Sequence, residues 1–408
     1  MKALQLESHG QIHLTKKDFL DRLFELLIYS SIILPSGTIS GINFKLMLVF
    51  VLIGLIIVYR DKVVVNTFIH VMPVFVFLLA SSLYSYLIFK YDSTFIFSQS
   101  KDILVFFVVF YVGISYAKNR YGYDELIKII IRSVFLLGLI KLLIIVYSKI
   151  SGINVSIIIE SISNIFGVSI MTFDVENSFL SRINFTSDSI LPICIFFLTE
   201  RLIKKGFNYK SLIVFLVICL SALLTMSRFQ WAFSIVSVVL ALLINVTNKK
   251  SFFAIIFLAI VGFSALSLSA VQQLIETRFD SRIVSASDIE RTIQQKAIYY
   301  QINENPFLGS GIGSYIPNVI RSDYAKYSYE LQIPALIMQL GFIGFTALAF
   351  LIISPLISSM NHKKAITILC FSALIIFWLY GAMFNPILFS SSSGVVFMLI
   401  YAMLKTSR

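Results

Sequence analysis

Arg182 and Arg228 each stand where a polar segment meets an apolar run, and Arg291 stands early in an amphipathic stretch suited to the membrane surface, places where a guanidinium can meet an anion carried at a membrane boundary. A guanidinium fixed there holds an anion through paired, charge-assisted hydrogen bonds. Glu330, within Ser328-Tyr329-Glu330-Leu331-Gln332, is a carboxylate near the same kind of boundary. A partly apolar setting raises the proton affinity of such a group and suits it to take a proton from an attacking hydroxyl. Lys141 sits near the middle of an apolar run, where a charge is costly and faces either a partner or an aqueous cavity. The tyrosines Tyr299, Tyr300, Tyr315, Tyr324, Tyr327 and Tyr329 cluster late in the chain, and phenols both stack on sugar faces and hydrogen-bond their hydroxyls.

Each residue also has a plainer reading. Arg182, Arg228 and Lys141 can snorkel to lipid headgroups. Glu330 can pair with Lys326 one helical turn earlier. Asp188 can favour a helix N-terminus, or partner Arg182. Tyrosines also anchor helices at a membrane interface.

The elements that must position these groups follow from the hydropathy. The chain has 408 residues, 58% hydrophobic and 13% charged, with a mean hydropathy of +0.89. A hydrocarbon core about 30 Å thick needs roughly 20 apolar residues per helical crossing. About twelve runs meet that pattern, at approximately 23–40, 43–59, 64–88, 102–117, 127–147, 187–200, 211–226, 229–246, 251–271, 332–358, 364–382 and 386–404. The expected class is an all-α integral membrane protein, a single polytopic domain over residues 1–408. Runs such as Phe252 to Leu266 lack the period-two alternation of a barrel strand.

Two longer segments, 148–186 and 272–331, interrupt the short-loop pattern, and both are expected on the periplasmic side. In the second, Ser287 and Glu290 read as a capping box, and Ile289, Ile293, Ala297 and Tyr300 make an apolar stripe on an amphipathic helix lying along the membrane. That helix is expected to stop near Glu304, before Asn305-Pro306, and Gly309-Ser310-Gly311-Ile312-Gly313 allows either tight turns or close approach to a ligand. Arg291, in the first turn, is badly placed for the helix dipole, which favours a ligand role.

Basic residues recur in every second loop, so the net charge of +12 reads as topogenic, with both termini cytoplasmic in a bacterial inner membrane. Scattered charge of this kind excludes a nucleic-acid groove. Cys194, Cys219 and Cys370 lie inside expected helices, and His9, His13, His70 and His362 are too dispersed for a metal set, so no metal and no cofactor are expected. A phosphate loop, a nucleotide fingerprint and an internal repeat are missing, and no cleavable signal peptide is expected.

The stretch from Arg291 through Asn305-Pro306-Phe307-Leu308-Gly309-Ser310-Gly311-Ile312-Gly313-Ser314-Tyr315, followed by Gln339-Leu340-Gly341-Phe342-Ile343-Gly344, resembles the signature of the O-antigen ligase and polymerase superfamily. About 55 residues carry the likeness directly. The family's loop histidine falls at Glu330 here, which turns the expectation from ligase to polymerase. Arg182, at the start of the helix after the first loop, and Arg228, in Ser227-Arg228, fit the places of the family's functional arginines.

The resemblance implies a metal-independent O-antigen polymerase joining polyprenyl-diphosphate-linked oligosaccharide units at the periplasmic face. Glu330 and Arg291 are then catalytic, Arg182, Arg228 and Lys141 bind the diphosphate, and Tyr300, Tyr315 and Tyr329 hold sugar. Membrane lipids and a chain-length regulator are the implied partners, and nucleic acid is not. A ligase using lipid A core and a lipid-linked oligosaccharide flippase are the alternatives.

Overall fold

The computed structural model describes residues 16–34, 43–59, 62–167, 170–174, 181–206, 208–248, 251, 256, 260, 262, 267–279, 281–323 and 325–407. The apolar runs among them form helices: α1 (Lys16–Ile33), α2 (Phe44–Val58), α3 (Lys62–Tyr84), α4 (Ser93–Tyr116) and α5 (Tyr123–Ser151), then α7 (Leu191–Lys205), α8 (Tyr209–Leu224) and α9 (Arg228–Ile244). The last three are α12 (Gln332–Met360), α13 (Ala365–Gly381) and α14 (Ser391–Thr406). The run expected at 251–271 lies mostly outside the described residues. Among the described residues, four stretches are long and apolar enough to cross a membrane, Val65–Phe89, Ser93–Tyr121, Tyr123–Ser151 and Gln332–Met360, with shorter apolar helices around them. The chain is an all-α membrane protein.

Its surface agrees with that solvent. Phe68, Phe75, Val76 and Leu79 of α3 are exposed, an apolar flank that water would not tolerate at this extent and hydrocarbon does. The most enclosed element is α14, whose residues from Val395 to Leu404 are nearly all buried. It packs against α4, α5, α12 and α1.

The segment 148–186 holds α6 (Val155–Phe166) and a two-stranded antiparallel hairpin, β1 (Ile170–Asp174) and β2 (Ser181–Phe185), which pairs Ile170 with Phe185 and Phe173 with Arg182. The hairpin was not expected from hydropathy, and it moves Arg182 from the expected helix start into a strand. In the later segment, α10 (Ser269–Phe279) precedes α11 (Ser281–Glu304). The end of α11 at Glu304 matches the Asn-Pro stop. Its start at Ser281 puts Ser287 inside the helix rather than at a cap.

The stripe expected on α11 also differs. Ile289, Ile293 and Tyr300 are exposed, while Gln294, Ile298 and Ile302 are buried. Ile298 and Ile302 pack with Tyr329, Leu331, Ala335 and Met338, so a neighbouring face of α11 docks on the start of α12.

Polar residues lengthen α4 beyond its apolar run. The helix starts at Ser93, capped by Asp92, whose Oδ1 accepts from the Thr94 N–H at 2.8 Å. The turns before Asp102 face the late loop, so their polar side chains find partners instead of lipid. These turns, the late loop and the first half of α12 form the floor of the candidate site.

Candidate functional site

The two motif segments, 305–315 and 339–344, meet each other. Gly341 has φ +65° and ψ 175°, which breaks α12 into two halves, and the glycine loop fits into the break. Ser310 N–H donates to the Met338 carbonyl and Gly311 N–H to the Gln339 carbonyl, both at 2.8 Å. Phe342 N–H donates to the Pro306 carbonyl at 2.8 Å. The orphaned carbonyls and amides of the broken helix are thus satisfied by the loop. The approach is too close for side chains: a Cβ at Gly341 lies 2.1 Å from the Phe307 carbonyl oxygen, and one at Gly309 lies 2.4 Å from the Gly341 nitrogen. The glycines therefore serve backbone docking, the plainer of the two expected roles.

Two buried amides lock the junction. Gln99 of α4 donates to Gln339 Oε1 at 2.5 Å and accepts from the Gly313 N–H at 2.6 Å. Gln339 Nε2 donates to the carbonyls of Ser314, at 3.1 Å, and Tyr327, at 2.9 Å. One hydrogen-bonded knot so joins α4, α12 and the loop.

Above it runs a chain of alternating charges. Arg228, the first residue of α9, lies 3.9 Å from Asp288, and Asp288 lies 3.4 Å from Arg291 one turn along α11. Arg291 Nε donates to Glu330 Oε2 at 3.0 Å, and Arg321 pairs with Glu330 Oε1 at 3.3 Å. Three guanidiniums thus alternate with two carboxylates, drawn from α9, α11 and the loop. Glu330 and Arg291 are mostly sheltered, with side chains 16% and 22% exposed, whereas Asp288 is 57% exposed. Arg291 also lies over the Phe384 ring, 5.9 Å from its centroid.

Of the expected residues, Arg291, Glu330 and Arg228 are brought together. Glu330 pairs with Arg291 and Arg321 rather than with Lys326, which lies over the rings of Tyr315 and Phe95 instead. With a guanidinium on each oxygen, Glu330 is not the unengaged carboxylate the sequence suggested. Arg182 reaches the α8–α9 turn that carries Arg228: its Nε donates to the Thr225 carbonyl at 3.2 Å.

Lys141 does not join this group. It is fully buried and donates to Asp188 Oδ2 at 2.6 Å, with Asp188 equally buried. Asp188 also accepts from the Phe185 N–H at 2.7 Å. The pair fastens α5 to the turn before α7, and a buried charge matched in this way has no surface to offer a diphosphate. The tyrosines separate in a similar manner. Tyr300 is exposed on α11, and Tyr315 packs edge-on to Phe95. Tyr329 is buried, and its hydroxyl is committed to accepting the Ile316 N–H at 2.6 Å, so it holds the loop rather than a ligand hydroxyl. Burial pushes the Tyr329 phenol up to about 12 and raises that of Tyr327 as well.

Sequence reasoning passed over Arg321, Asp288 and Asp102, and named Tyr327 only among the clustered tyrosines. Arg321 and Asp288 looked like ordinary loop charges. Asp102 marked only the polar end of an apolar run, yet its Oδ2 accepts from the Tyr327 hydroxyl at 3.1 Å, and Ser98 shares that hydroxyl at 2.9 Å. A carboxylate at the start of an expected span, on the side of the longest loop, was the available signal.

Residues 213–349, roughly a third of the chain, match the sequence model of a protein family described as O-antigen ligase. The match runs from α8 into the second half of α12 and contains the whole charge chain, the glycine loop and the Gly341 break. It supports placement in the O-antigen ligase and polymerase superfamily. No curated protein matches the chain.

Proposed function

From membership of the O-antigen ligase and polymerase superfamily as the premise, we propose that this protein is a glycosyltransferase that polymerises polyprenyl-diphosphate-linked oligosaccharide units at the periplasmic face of the bacterial inner membrane. The observation that carries the reading is the row of Arg228, Arg291 and Arg321 held beside one another by Asp288 and Glu330. A diphosphate is polyanionic and accepts several hydrogen bonds, so it competes with the two carboxylates for the same donors. As the acceptor hydroxyl attacks the anomeric carbon, the bond from that carbon to the diphosphate oxygen breaks, and charge grows on the leaving group. Guanidiniums already fixed in place stabilise that charge without reorganising.

In this reading Glu330 has two states. Paired, it holds Arg291 and Arg321 in position. Once the diphosphate takes those donors, its freed oxygen accepts the proton of the attacking hydroxyl, so deprotonation is coupled to the presence of the leaving group. Arg182 supports the Arg228 turn through the Thr225 carbonyl.

The description of the matched family favours a second reading, an O-antigen ligase. None of the chain's histidines lies between residues 272 and 331, and Glu330 stands where the resemblance leads one to look for one. That supports polymerase over ligase. The test is complementation in deletion strains of the source bacterium, at matched membrane abundance. Wild type is expected to restore a polysaccharide ladder in the polymerase deletion, and Glu330→Gln to leave single capped units. Rescue of a ligase deletion alone overturns the polymerase reading, and a full ladder from Glu330→Gln removes Glu330 from the chemistry.

A further inference from the structure

A cavity of about 180 Å³ opens on the other side of the 327–332 segment from the charge chain, between α4, the start of α12 and the 386–389 turn. Its polar lining includes Asp102, Tyr327, Ser328 and Gln332, and its apolar wall includes Leu336 and Phe389. The volume falls below the roughly 300–1,000 Å³ of sites for drug-sized ligands, which suits one small ring.

The hydrogen-bonding groups here divide into used and spare. Gln99 and Gln339 also line the cavity, but their amides are consumed by the knot under the loop. Asp102 is different. Its Oδ2 takes the Tyr327 hydroxyl, while among the described residues its Oδ1 is met by Lys101 at 3.7 Å, a loose pair in which the aspartate side chain is 43% exposed. Gln332 accepts the Leu388 N–H through Oε1 at 2.5 Å, which fixes the amide and leaves its Nε2 as a donor. A strong acceptor, a donor and hydroxyls beside an aromatic and aliphatic wall match a ring bearing several hydroxyls on one apolar face. Among the described residues no lysine or arginine lines the cavity and Asp102 does, Lys101 lying outside the lining, so the wall meets a ligand with one carboxylate and otherwise neutral groups.

We propose that this cavity is a subsite for one uncharged sugar ring, with Asp102 Oδ1 accepting from its hydroxyls and Gln332 Nε2 donating to them. That the sugar belongs to the lipid-linked oligosaccharide rests on the glycosyl-transfer reading above. The arrangement separates labour: the arginine chain meets the diphosphate and the Asp102 cavity meets a neutral sugar, with residues 327–332 as the wall between them. Asp102 is a binding residue here and has no part in the bond exchange.

The test is calorimetric titration of the full chain in lipid nanodiscs with the free oligosaccharide repeat unit, released by mild acid from the lipid-linked units of a polymerase-deletion strain. Asp102→Asn keeps the shape and the Tyr327 contact. Ala335→Phe fills the cavity, and thermal melting of each variant checks that it folds. The expected result is binding by wild type, at least tenfold weaker binding by Asp102→Asn and Ala335→Phe, and unchanged binding by Gly54→Ala, where nothing lies within 4 Å of the new Cβ. No binding by wild type, undiminished binding by folded Asp102→Asn, or equal loss in Gly54→Ala overturns the subsite. Laddering in the deletion strain is read separately. A restored ladder with Asp102→Asn titrating like wild type keeps the polymerase and removes the subsite, whereas no ladder with sugar binding that depends on Asp102 keeps the subsite and removes the polymerase.

Discussion

Two basic residues of the chain, Lys141 and Arg291, play opposite parts. Lys141 and Asp188 neutralise each other inside the bundle, and removing one partner strands the other. Lys141→Met is expected to destabilise the protein by about 3–5 kcal/mol, while Lys141→Met combined with Asp188→Leu recovers most of that loss. Thermal melting in detergent measures both, and equal damage from the single and double variants contradicts a purely structural pair. Arg291 is partly exposed and shares its carboxylate with Arg321, so its partners are exchangeable. Arg291→Lys keeps the charge and loses the forked donor, and a tenfold or greater fall in polymer yield at matched abundance is expected. Tyr329→Phe leaves the Ile316 N–H without its acceptor, at a cost of about 1–3 kcal/mol. Because burial holds the Tyr329 phenol near 12, above its unfolded value near 10, its contribution is intact below pH ~10 and is lost as pH rises toward 12. Tyr329→Phe is expected to flatten the alkaline limb of a stability profile, and an unchanged limb assigns it to other groups.

Among the elements, the break in α12 is the feature on which the site depends. Gly341 holds a left-handed backbone and admits the 305–311 loop, which sets the direction of the segment carrying Arg321 and Glu330. Gly341→Ala places a Cβ 2.1 Å from a backbone oxygen, which no side-chain movement relieves. The expected outcome is loss of polymer together with faster proteolysis of the loop, compared by limited digestion with Gly54→Ala, where nothing lies within 4 Å of the new Cβ. Equal resistance of the two variants contradicts this account of the docking. The π turns at Ser85–Phe89 and Ala117–Tyr121 end α3 and α4, and Ser85 lies against Gly311.

For the whole molecule, the basic loops predict an orientation. In a background without Cys194, Cys219 and Cys370, a cysteine at the exposed Tyr300 is expected to react with an impermeant maleimide in intact spheroplasts, and one at Lys363 only after lysis. The reverse pattern inverts the topology and removes the periplasmic site.

How much of this the chain declared in advance depends on the range of the interaction. The helices were legible because hydrocarbon imposes a run of fixed length and a helix satisfies its own backbone, both of them local constraints. The stop of α11 at Glu304 was legible for the same reason, since Asn305-Pro306 acts on its nearest neighbours. Arg228, Arg291 and Glu330 were found by residue type and resemblance, but their partners Asp288 and Arg321 were not, because an ion pair between residues far apart in sequence leaves no local mark. Lys141 was read as facing a partner or an aqueous cavity and assigned to a diphosphate, and only the packing of α5 on the turn before α7 decided that it faces Asp188. The glycines were read as permissive backbone, but that they fill a broken helix follows from two segments meeting in space. Local composition determined the membrane, the helices and the kinds of chemistry available; tertiary contacts decided which charges face each other and which are sealed away, because pairing and desolvation depend on distance in space rather than on order along the chain.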